Sequence, residues 1–468
     1  MLEEFITDFK AWAESFGAKP NGVNCVYREN VKDDAFTKGG AYFGFIQPDE
    51  APSGSYHDFS LVVFPDDERG KWLVSLCVGS LGFKEDYDLA AQPGIRRLFA
   101  KLVSENGYNK PSFLDIETPL PKAFVSKEPN FVNFVKSYSS VISACEIIDP
   151  TTIEGQNKVK GFLATYAQIR EWPTNKALRD AVQKGIQDAL VKKDEKDDIQ
   201  EVTTLLEHRK YVVLQGPPGT GKTRMTKLLA SGMKAKTFFT QFHAETSYAD
   251  FVWGIRPTLD SDQLKYESRD GVLIQSIKYA INNPQQKVIL IIDEINRANL
   301  SNVLGPVFYL FEYQMDASDV VIKLRNDLEL NAPPSNLYVI ATMNTADRSL
   351  AVVDFALRRR FAWYTLWPKA IQSPRFMHNY YDAIASIFEQ YASDEELNLQ
   401  PGQGYFLADS EEEMKKRLKY EIMPLIKEYL TEGLLTSAKT PSQTTLRHKS
   451  KRNYSFEFGH LLYCSLSR

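Results

Sequence analysis

The chain has 468 residues, of which 43% are hydrophobic and 25% are charged, and its formal net charge is −4. At roughly 150 residues per domain this length predicts about three domains, and the lack of any apolar run of about 18 residues excludes a transmembrane helix. A net charge so close to zero means that any contact with nucleic acid requires a local basic patch.

The N-terminal residues and the cysteines bear on location. Glu3, Glu4 and Asp8 occupy positions where an export signal would carry positive charge. The four cysteines lie far apart without a CxxC pair, which argues against a disulfide framework or a zinc site: Cys25, Cys77, Cys145 and Cys464. A reducing, cytoplasmic location with no membrane partner is therefore expected.

Residues 1–172 are predicted to form an α+β domain. An N-terminal helix over 3–16 is followed by apolar runs that are separated by turns rich in Pro, Gly and Asp. These runs predict an antiparallel meander: 41–46, 59–64 and 72–78. Two further helices are predicted over 94–102 and 131–147.

Residues 173–200 are predicted to be a helical linker, after which the pattern changes. Over 201–370, unbroken apolar strands alternate with helices, which is typical of a parallel sheet covered on both faces. The predicted strands are 211–214, 237–242, 288–292 and 337–341. Residues 371–435 are predicted to form a helical lid, and 436–468 are a basic tail of undecided role.

A phosphate-binding loop is the strongest motif in the sequence. Residues 216–223 (GPPGTGKT) match GxxxxGK[ST] directly between a predicted strand and a predicted helix. Lys222 is expected to reach the β- and γ-phosphates, and the Thr223 hydroxyl is expected to bind Mg²⁺. All eight residues are predicted to contact nucleotide: Gly216, Pro217, Pro218, Gly219, Thr220, Gly221, Lys222 and Thr223.

Carboxylates follow the strand predicted over 288–292. Asp293 is expected to hold Mg²⁺, and Glu294 is expected to polarise the attacking water. The next predicted strand leads to Asn344, whose amide would orient that water beside the γ-phosphate. The alternative for Asn344 is a loop amide that bonds the backbone.

Three consecutive arginines close the segment 354–361 (DFALRRRF). Such a run is commonly a solvated helix face or a phosphate-binding patch. In an oligomeric nucleotidase, an arginine that reaches the neighbour's γ-phosphate stabilises charge in the transition state. Arg359 and Arg360 are the candidates, and spacing does not distinguish them.

Together these motifs resemble the AAA+ ATPase superfamily, and residues 343–361 (MNTADRSLAVVDFALRRRF) resemble the signature of its McrB family. Supporting stretches are 248–257 (YADFVWGIRP) and 293–299 (DEINRAN), and the resemblance covers roughly residues 195–435. It implies an α/β fold with an AAA+ P-loop NTPase core and a helical lid, preceded by an α+β N-terminal domain.

The resemblance also implies a function. McrB-type proteins form rings, commonly hexamers, that hydrolyse GTP in preference to ATP with Mg²⁺. They couple hydrolysis to DNA translocation or remodelling for a McrC-type endonuclease. The resemblance thus implies restriction of modified foreign DNA, such as phage DNA carrying 5-methylcytosine. The matching positions are Lys222 and Thr223 (Walker A), Asp293 and Glu294 (Walker B), Asn344 (sensor), Asp347 and Arg348 (family signature), and Arg359 and Arg360 (finger region).

Residues 1 to about 150 resemble an N-terminal domain found in McrB-like proteins through the stretch 72–99, which contains WLVSLCVGSLGF and PGIRRLF. This resemblance implies recognition of DNA. A flipped base requires an aromatic pocket beside a basic phosphate clamp. Candidates for the pocket are Tyr27, Tyr42, Phe45, Tyr56 and Trp72, and candidates for the clamp are Arg96, Arg97 and Lys101. The alternative interpretations are sheet core for the aromatics and a solvated helix face for the cations. Neither 65–71 nor 115–117 has the spacing of a nuclease site, so cleavage is assigned to another chain.

Two features depart from the family or stay unassigned. Pro306 follows Gly305 inside a predicted helix and is expected to bend it. In the lid, 402–406 (GQGYF) is similar to a Gly-x-x-Tyr-Phe stretch of relatives.

Two other functions fit the same motor motifs, namely a MoxR-like ATPase that remodels protein and a nucleotide-gated recognition scaffold.

Overall fold

The computed structural model describes residues 2–435 apart from twelve short segments. The segments left out are 20–22, 38–39, 52, 67–69, 91, 112–117, 128–137, 191–196, 261–262, 313–320, 326–327 and 347–354. The signature residues Asp347 and Arg348 and the tail 436–468 therefore lie outside the described residues. The chain divides into two compact units, one formed by Met1–Lys193 with Ser386–Asp394 and the other by Asp194–Ala385 with Glu395–Glu432.

The first unit is built on a six-stranded sheet in the order β1-β2-β3-β4-β6-β5. Its strands are β1 Val26–Asn30, β2 Tyr42–Ile46, β3 Phe59–Phe64, β4 Trp72–Val78, β5 Gly107–Asn109 and β6 Ile142–Ile148. The predicted meander is confirmed, since β2, β3 and β4 pair antiparallel in sequence order.

The helix predicted over 131–147 is wrong from residue 142 onward, because β6 is a strand between β4 and β5, and residues 131–137 lie outside the described residues. Six of the seven residues of β6 are buried. A strand that is covered on both faces loses the alternation that would distinguish it from a buried helix.

Helices cover the sheet of the first unit. They are α1 Leu2–Ser15, α2 Asp33–Thr37, α3 Tyr87–Ala90, α4 Pro93–Leu102, α5 Lys122–Val125, α6 Ile153–Ile169 and α7 Lys176–Ala189. Their main core contains Phe9, Phe99 and Phe162 from α1, α4 and α6 against Phe43 and Trp72 of the sheet. The α7 part of the predicted linker packs on α6.

A buried ion pair joins the end of α6 to the segment before α3. Arg170 Nη2 lies 2.7 Å from Asp86 Oδ2, and the guanidinium also donates to the carbonyl of Phe59 and to the hydroxyl of Tyr166. The Phe59 amide donates to Asp86. Burial raises the pKa of Asp86, and Arg170 opposes that rise.

Replacing Arg170 with Met is expected to lower the unfolding free energy by about 3 kcal/mol or more, because the Asp86 carboxylate stays buried after its cation is removed. The carboxyl binds a proton more readily in the folded state, so the variant should recover stability as the pH falls from about 7 to about 5.

Urea titrations followed by circular dichroism measure both the loss of unfolding free energy and its pH dependence. The exposed Lys10–Glu29 pair provides the control, and Lys10→Met should cost less than about 1 kcal/mol. Equal losses for the two variants would contradict the assignment.

The second unit contains a five-stranded parallel sheet in the order β15-β7-β14-β11-β8. Its strands are β7 Tyr211–Gly216, β8 Lys236–Gln241, β11 Val288–Asp293, β14 Leu337–Asn344 and β15 Ala362–Thr365. The four predicted strands are confirmed, and β15 is an additional one. Separate apolar clusters cover the two faces, which explains the unbroken apolar runs.

The remaining elements surround this sheet or follow it in the chain. The helices are α8 Asp198–Arg209, α9 Lys222–Gly232, α10 Tyr248–Phe251, α11 Val272–Asn282, α12 Leu300–Leu304, α13 Phe355–Arg360, α14 His378–Tyr391, α15 Glu411–Arg417 and α16 Met423–Thr431. Two strand pairs are β9 Trp253–Asp260 with β10 Gln263–Asp270, and β12 Ile322–Arg325 with β13 Leu328–Leu330. None of the helices in the described part of the chain combines the length and apolar character needed to cross a bilayer.

The helix predicted around Pro306 ends before this residue and does not bend at it. Helix α12 ends at Leu304, and Gly305 follows with φ +45°. The chain then continues as a 3-10 helix, Gly305–Phe311. Proline has no amide hydrogen to donate, so the α-helix cannot extend through it.

Candidate functional site

The motifs of the second unit meet at one edge of its parallel sheet. Strand β14 lies between β7 and β11, with Asn344 opposite Gly216 and Ala341 opposite Ile292. The carboxyl ends of parallel strands point the same way, so the loops that follow these strands are neighbours. This edge is where ligands bind in open α/β sheets.

The loop after β7 has the backbone that its glycines allow. Gly219 and Gly221 have φ of +80° and +84°, a region that residues with a side chain rarely adopt. Gly221 is the N-cap of α9, so Lys222 is the first residue of that helix. The amides at the start of α9 and the helix dipole make this end suited to bind an anion.

Lys222 is held against its own loop. Its ammonium donates to the carbonyls of Gly216 at 2.9 Å and Pro217 at 2.8 Å, and the residue is only 7% exposed. The Thr220 hydroxyl also donates to the Pro217 carbonyl. The predicted loop residues are therefore brought together around one buried positive charge.

The oxygen atoms predicted to hold Mg²⁺ are adjacent. The Thr223 hydroxyl donates to Asp293 Oδ1 at 3.0 Å, and the Thr342 hydroxyl donates to the same atom at 2.6 Å. A hydroxyl beside a carboxylate is a donor set that suits this cation. Thr342 was not a predicted site residue, although a buried hydroxyl in an otherwise apolar strand is a signal that sequence reading can use.

Glu294 is positioned by two neighbours from β14. It has φ +56° and ψ +48°, a left-handed conformation that is uncommon for residues with a side chain. Its amide donates to the Thr342 hydroxyl, and Asn344 Nδ2 donates to its Oε1 at 2.7 Å. Arg297 Nε lies 3.4 Å from Oε2. Asn344 thus holds the carboxylate that the sequence assigns to water activation.

The two candidate finger arginines differ in environment. Arg360 is 4% exposed, forms an ion pair with Glu312 at 2.6 Å and places its guanidinium over the Phe308 ring. The Arg359 side chain is 65% exposed and lies 3.3 Å from the same carboxylate. Arg359 is therefore the accessible one of the pair.

Most of the residues predicted to contact DNA in the first unit are buried in its core or bonded to other side chains of the protein. Phe45 and Trp72 lie in the hydrophobic core at 1% exposure, as the sheet-core interpretation expects. Arg97 lies 2.9 Å from Asp394 of the same unit, and Arg96 lies 3.3 Å from that carboxylate. Lys101 forms an ion pair with Glu389, and the Tyr56 hydroxyl hydrogen-bonds the Ser60 hydroxyl. Tyr27 and Tyr42 are partly buried beside hydrophobic clusters of the first unit.

Within the described ranges, no cluster of three or more His, Cys, Asp or Glu side chains is arranged to hold a metal ion. Described cysteines Cys25, Cys77 and Cys145 are buried free thiols.

Comparison with known proteins supports the nucleotide-binding assignment. Residues 195–361 match the family described as AAA domain (dynein-related subfamily). The chain is 42% identical over 186 residues to the type IV methyl-directed restriction enzyme EcoKMcrB subunit of Escherichia coli (strain K12), covering 38% of this chain and 39% of that protein. It is 27% identical over 204 residues to the type II restriction enzyme BsuMI component YdiS of Bacillus subtilis (strain 168), covering 34% and 59%.

The chain thus spans less than two thirds of either curated relative. Among solved structures, the Thermotoga maritima RuvB Holliday junction branch migration motor aligns with 42% of this chain and 49% of its own, at 19% identity and a TM-score of 0.23.

Proposed function

We infer that the protein is the motor subunit of a restriction system, because residues 195–361 match an AAA domain family and part of the chain is 42% identical to a subunit of a methyl-directed restriction enzyme. It assembles into a ring and hydrolyses nucleoside triphosphate, with GTP preferred over ATP. Hydrolysis drives translocation or remodelling of DNA for a McrC-type nuclease. The observation that carries the hydrolytic part is the Glu294 carboxylate, which Asn344 holds beside Asp293 at the edge shared with the phosphate loop.

The residues present fit a nucleoside triphosphate with magnesium. Lys222 supplies a positive charge inside the loop, and the amides at the start of α9 supply hydrogen-bond donors. Thr223 and Asp293 offer adjacent oxygens that would hold Mg²⁺. When bound, Mg²⁺ supplies further positive charge beside the phosphate oxygens.

Glu294 is the proposed base. Its carboxylate accepts a hydrogen bond from Asn344 at Oε1, and this contact fixes its direction. A carboxylate so placed accepts a hydrogen bond from water and takes its proton as that water attacks the γ-phosphate. The bond to the β–γ bridging oxygen breaks, and the nucleoside diphosphate is the leaving group. Asn344 acts on the reaction through Glu294 and is a positioning residue in this scheme.

Arg359 is the proposed finger, and Arg360 is a support for the helix that carries it. An arginine finger must extend beyond the surface of its own subunit to reach the γ-phosphate bound by the neighbour. An exposed side chain can extend in this way. Burial and the ion pair with Glu312 keep Arg360 inside. Asp347 and Arg348 keep their proposed place in the family signature.

The DNA substrate and the nuclease partner are proposed from the relatives. The E. coli protein is a subunit of a methyl-directed restriction enzyme, and the B. subtilis protein is a component of another restriction enzyme. The first unit is the part proposed to recognise DNA that carries a modified base, such as 5-methylcytosine.

Steady-state hydrolysis of GTP and of ATP across protein concentrations tests the proposal. We expect GTP to be preferred and the rate per subunit to rise steeply with concentration, because each site needs a neighbour's arginine. Lys222→Ala is the control that should lose turnover of both nucleotides. A preference for ATP would favour the MoxR-like alternative, and binding without turnover would favour the nucleotide-gated scaffold.

A further inference from the structure

A turn of the lid segment lies against the outer side of the phosphate loop. It consists of residues 402–405, and its last three residues begin the 3-10 helix Gln403–Phe406. Three of its donors reach three consecutive loop carbonyls: Gly402 N to Pro218 O at 2.9 Å, Gly404 N to Gly219 O at 2.8 Å, and Gln403 Nε2 to Thr220 O at 2.7 Å.

The two segments pack backbone against backbone. A Cβ built on Gly402 would overlap the main chain of Gly219, and a Cβ on Gly219 would lie 2.7 Å from the Tyr405 ring. Both positions therefore require glycine for this approach, in addition to the positive φ of Gly219. Gly221 of the same loop differs from these two glycines, because a Cβ built on it would meet no atom within 4 Å.

The carbonyl contacts determine where the loop amides point. A peptide unit is planar, with its carbonyl and the next residue's N–H directed to opposite sides. Because the turn holds the carbonyls of Pro218, Gly219 and Thr220 on the outer side, the amides that follow them face the inner side. Those amides belong to Gly219, Thr220 and Gly221, which are among the loop residues predicted to contact nucleotide.

The preceding carbonyls are held from other directions. Gly216 O accepts from the Thr345 amide at 3.1 Å and from Lys222, which also reaches Pro217 O. With the contacts from the lid segment, every loop carbonyl from Gly216 to Thr220 accepts a hydrogen bond. Without them, the peptides after Pro218 are the part of the loop free to rotate.

We propose that the turn 402–405 is a lock on the phosphate loop, with Gln403 as its positioning residue. Docking of the turn fixes the inward amides, and phosphate bound to those amides fixes the carbonyls that the turn needs. The two events stabilise each other by the same factor. This inference rests on the proposed binding of nucleoside triphosphate by the loop.

Gln403 is suited to this role because its amide bridges two segments. Its Nε2 donates to Thr220 O, and its Oε1 accepts from the Lys369 amide at 3.4 Å. Lys369 follows β15, which directly follows the helix that carries Arg359. An apolar side chain of similar length would fill the space but leave the Thr220 carbonyl without this donor.

The test compares the affinity of wild type, Gln403→Met and Gln403→Glu for a slowly hydrolysed fluorescent GTP analogue with Mg²⁺. Both substitutions remove the donor, and we expect the Kd to rise about tenfold. Gln400→Met, three residues earlier in the same segment, should stay within about twofold of wild type. An unchanged Kd in both Gln403 variants would overturn the lock.

A second measurement needs no variant of the turn. In wild type, saturating analogue should slow hydrogen exchange at the amides of Gly402 and Gly404 by about fivefold or more, because loop and turn stabilise each other. Lys222→Ala should lose this slowing along with nucleotide binding. Unchanged exchange in saturated wild type would overturn the inference alone. Wild type that binds neither GTP nor ATP analogue would overturn the proposed function and this inference with it.

Discussion

Glu294→Gln is expected to lower the hydrolysis rate at least about 100-fold while nucleotide binding stays within a few-fold of wild type. The substitution keeps the size of the side chain and an oxygen that accepts the Asn344 hydrogen bond, which is 2.7 Å long in the protein. It removes the group that draws a proton from water. The loss should therefore fall on kcat and leave KM nearly unchanged, as for an interaction made only in the transition state.

Single-turnover hydrolysis and fluorescent-nucleotide titration separate the two effects of Glu294→Gln. Glu245→Gln is the matched control, because Glu245 is an exposed carboxylate of the same unit. It should hydrolyse nucleotide at the wild-type rate. Turnover by Glu294→Gln within about threefold of wild type would show that this carboxylate is not the base.

Much of the second unit follows from the sequence because its signals are local. Strands β7, β11 and β14 are buried on both faces and are therefore nearly continuous apolar runs, whereas the predicted edge strand β8 is mostly exposed. The phosphate-loop motif sits between a strand and a helix, so its position at the sheet edge followed from the order of elements. Asp293, Glu294 and Asn344 were predicted by the same logic, since Asp293 and Asn344 end strands at that edge and Glu294 directly follows Asp293.

The remaining site residues depend on contacts that are distant in sequence. Gln403 contacts a carbonyl 183 positions away, and Thr342 contacts a carboxylate 49 positions away. The spacing of residues along the sequence does not indicate which side chains meet over such distances. Arg359 and Arg360 are neighbours in sequence, and only burial distinguishes them. Strand β6 was missed for a related reason, because its burial on both faces comes from tertiary packing.

Arg359→Ala is expected to reduce hydrolysis by the assembled protein about 1,000-fold, the scale of effect of an arginine finger. Nucleotide binding by the variant should persist, because Lys222 and Thr223 are unchanged. Arg358→Ala is the matched control: its side chain is also exposed, but its guanidinium lies over the Trp363 ring, 5.4 Å from its centroid. We expect that control to lose little activity.

Arg360→Ala should behave differently from Arg359→Ala. It removes a buried cation from Glu312 and from the Phe308 ring. The expected result is a lower unfolding free energy, by about 3 kcal/mol. Thermal unfolding of the two variants distinguishes the roles, since Arg359→Ala should leave the unfolding temperature close to that of wild type.

Mixing two inactive variants tests whether Arg359 acts across an interface. Arg359→Ala subunits keep Lys222 and Glu294, and Lys222→Ala subunits keep Arg359. In an equal random mixture, about one quarter of head-to-tail interfaces combine an intact phosphate loop with an intact arginine. Hydrolysis should therefore return to about one quarter of the wild-type rate, whereas either variant alone stays inactive. If one variant copurifies with an affinity-tagged copy of the other and hydrolysis does not return, Arg359 does not complete the neighbour's site, because every group that the scheme requires is present at those interfaces.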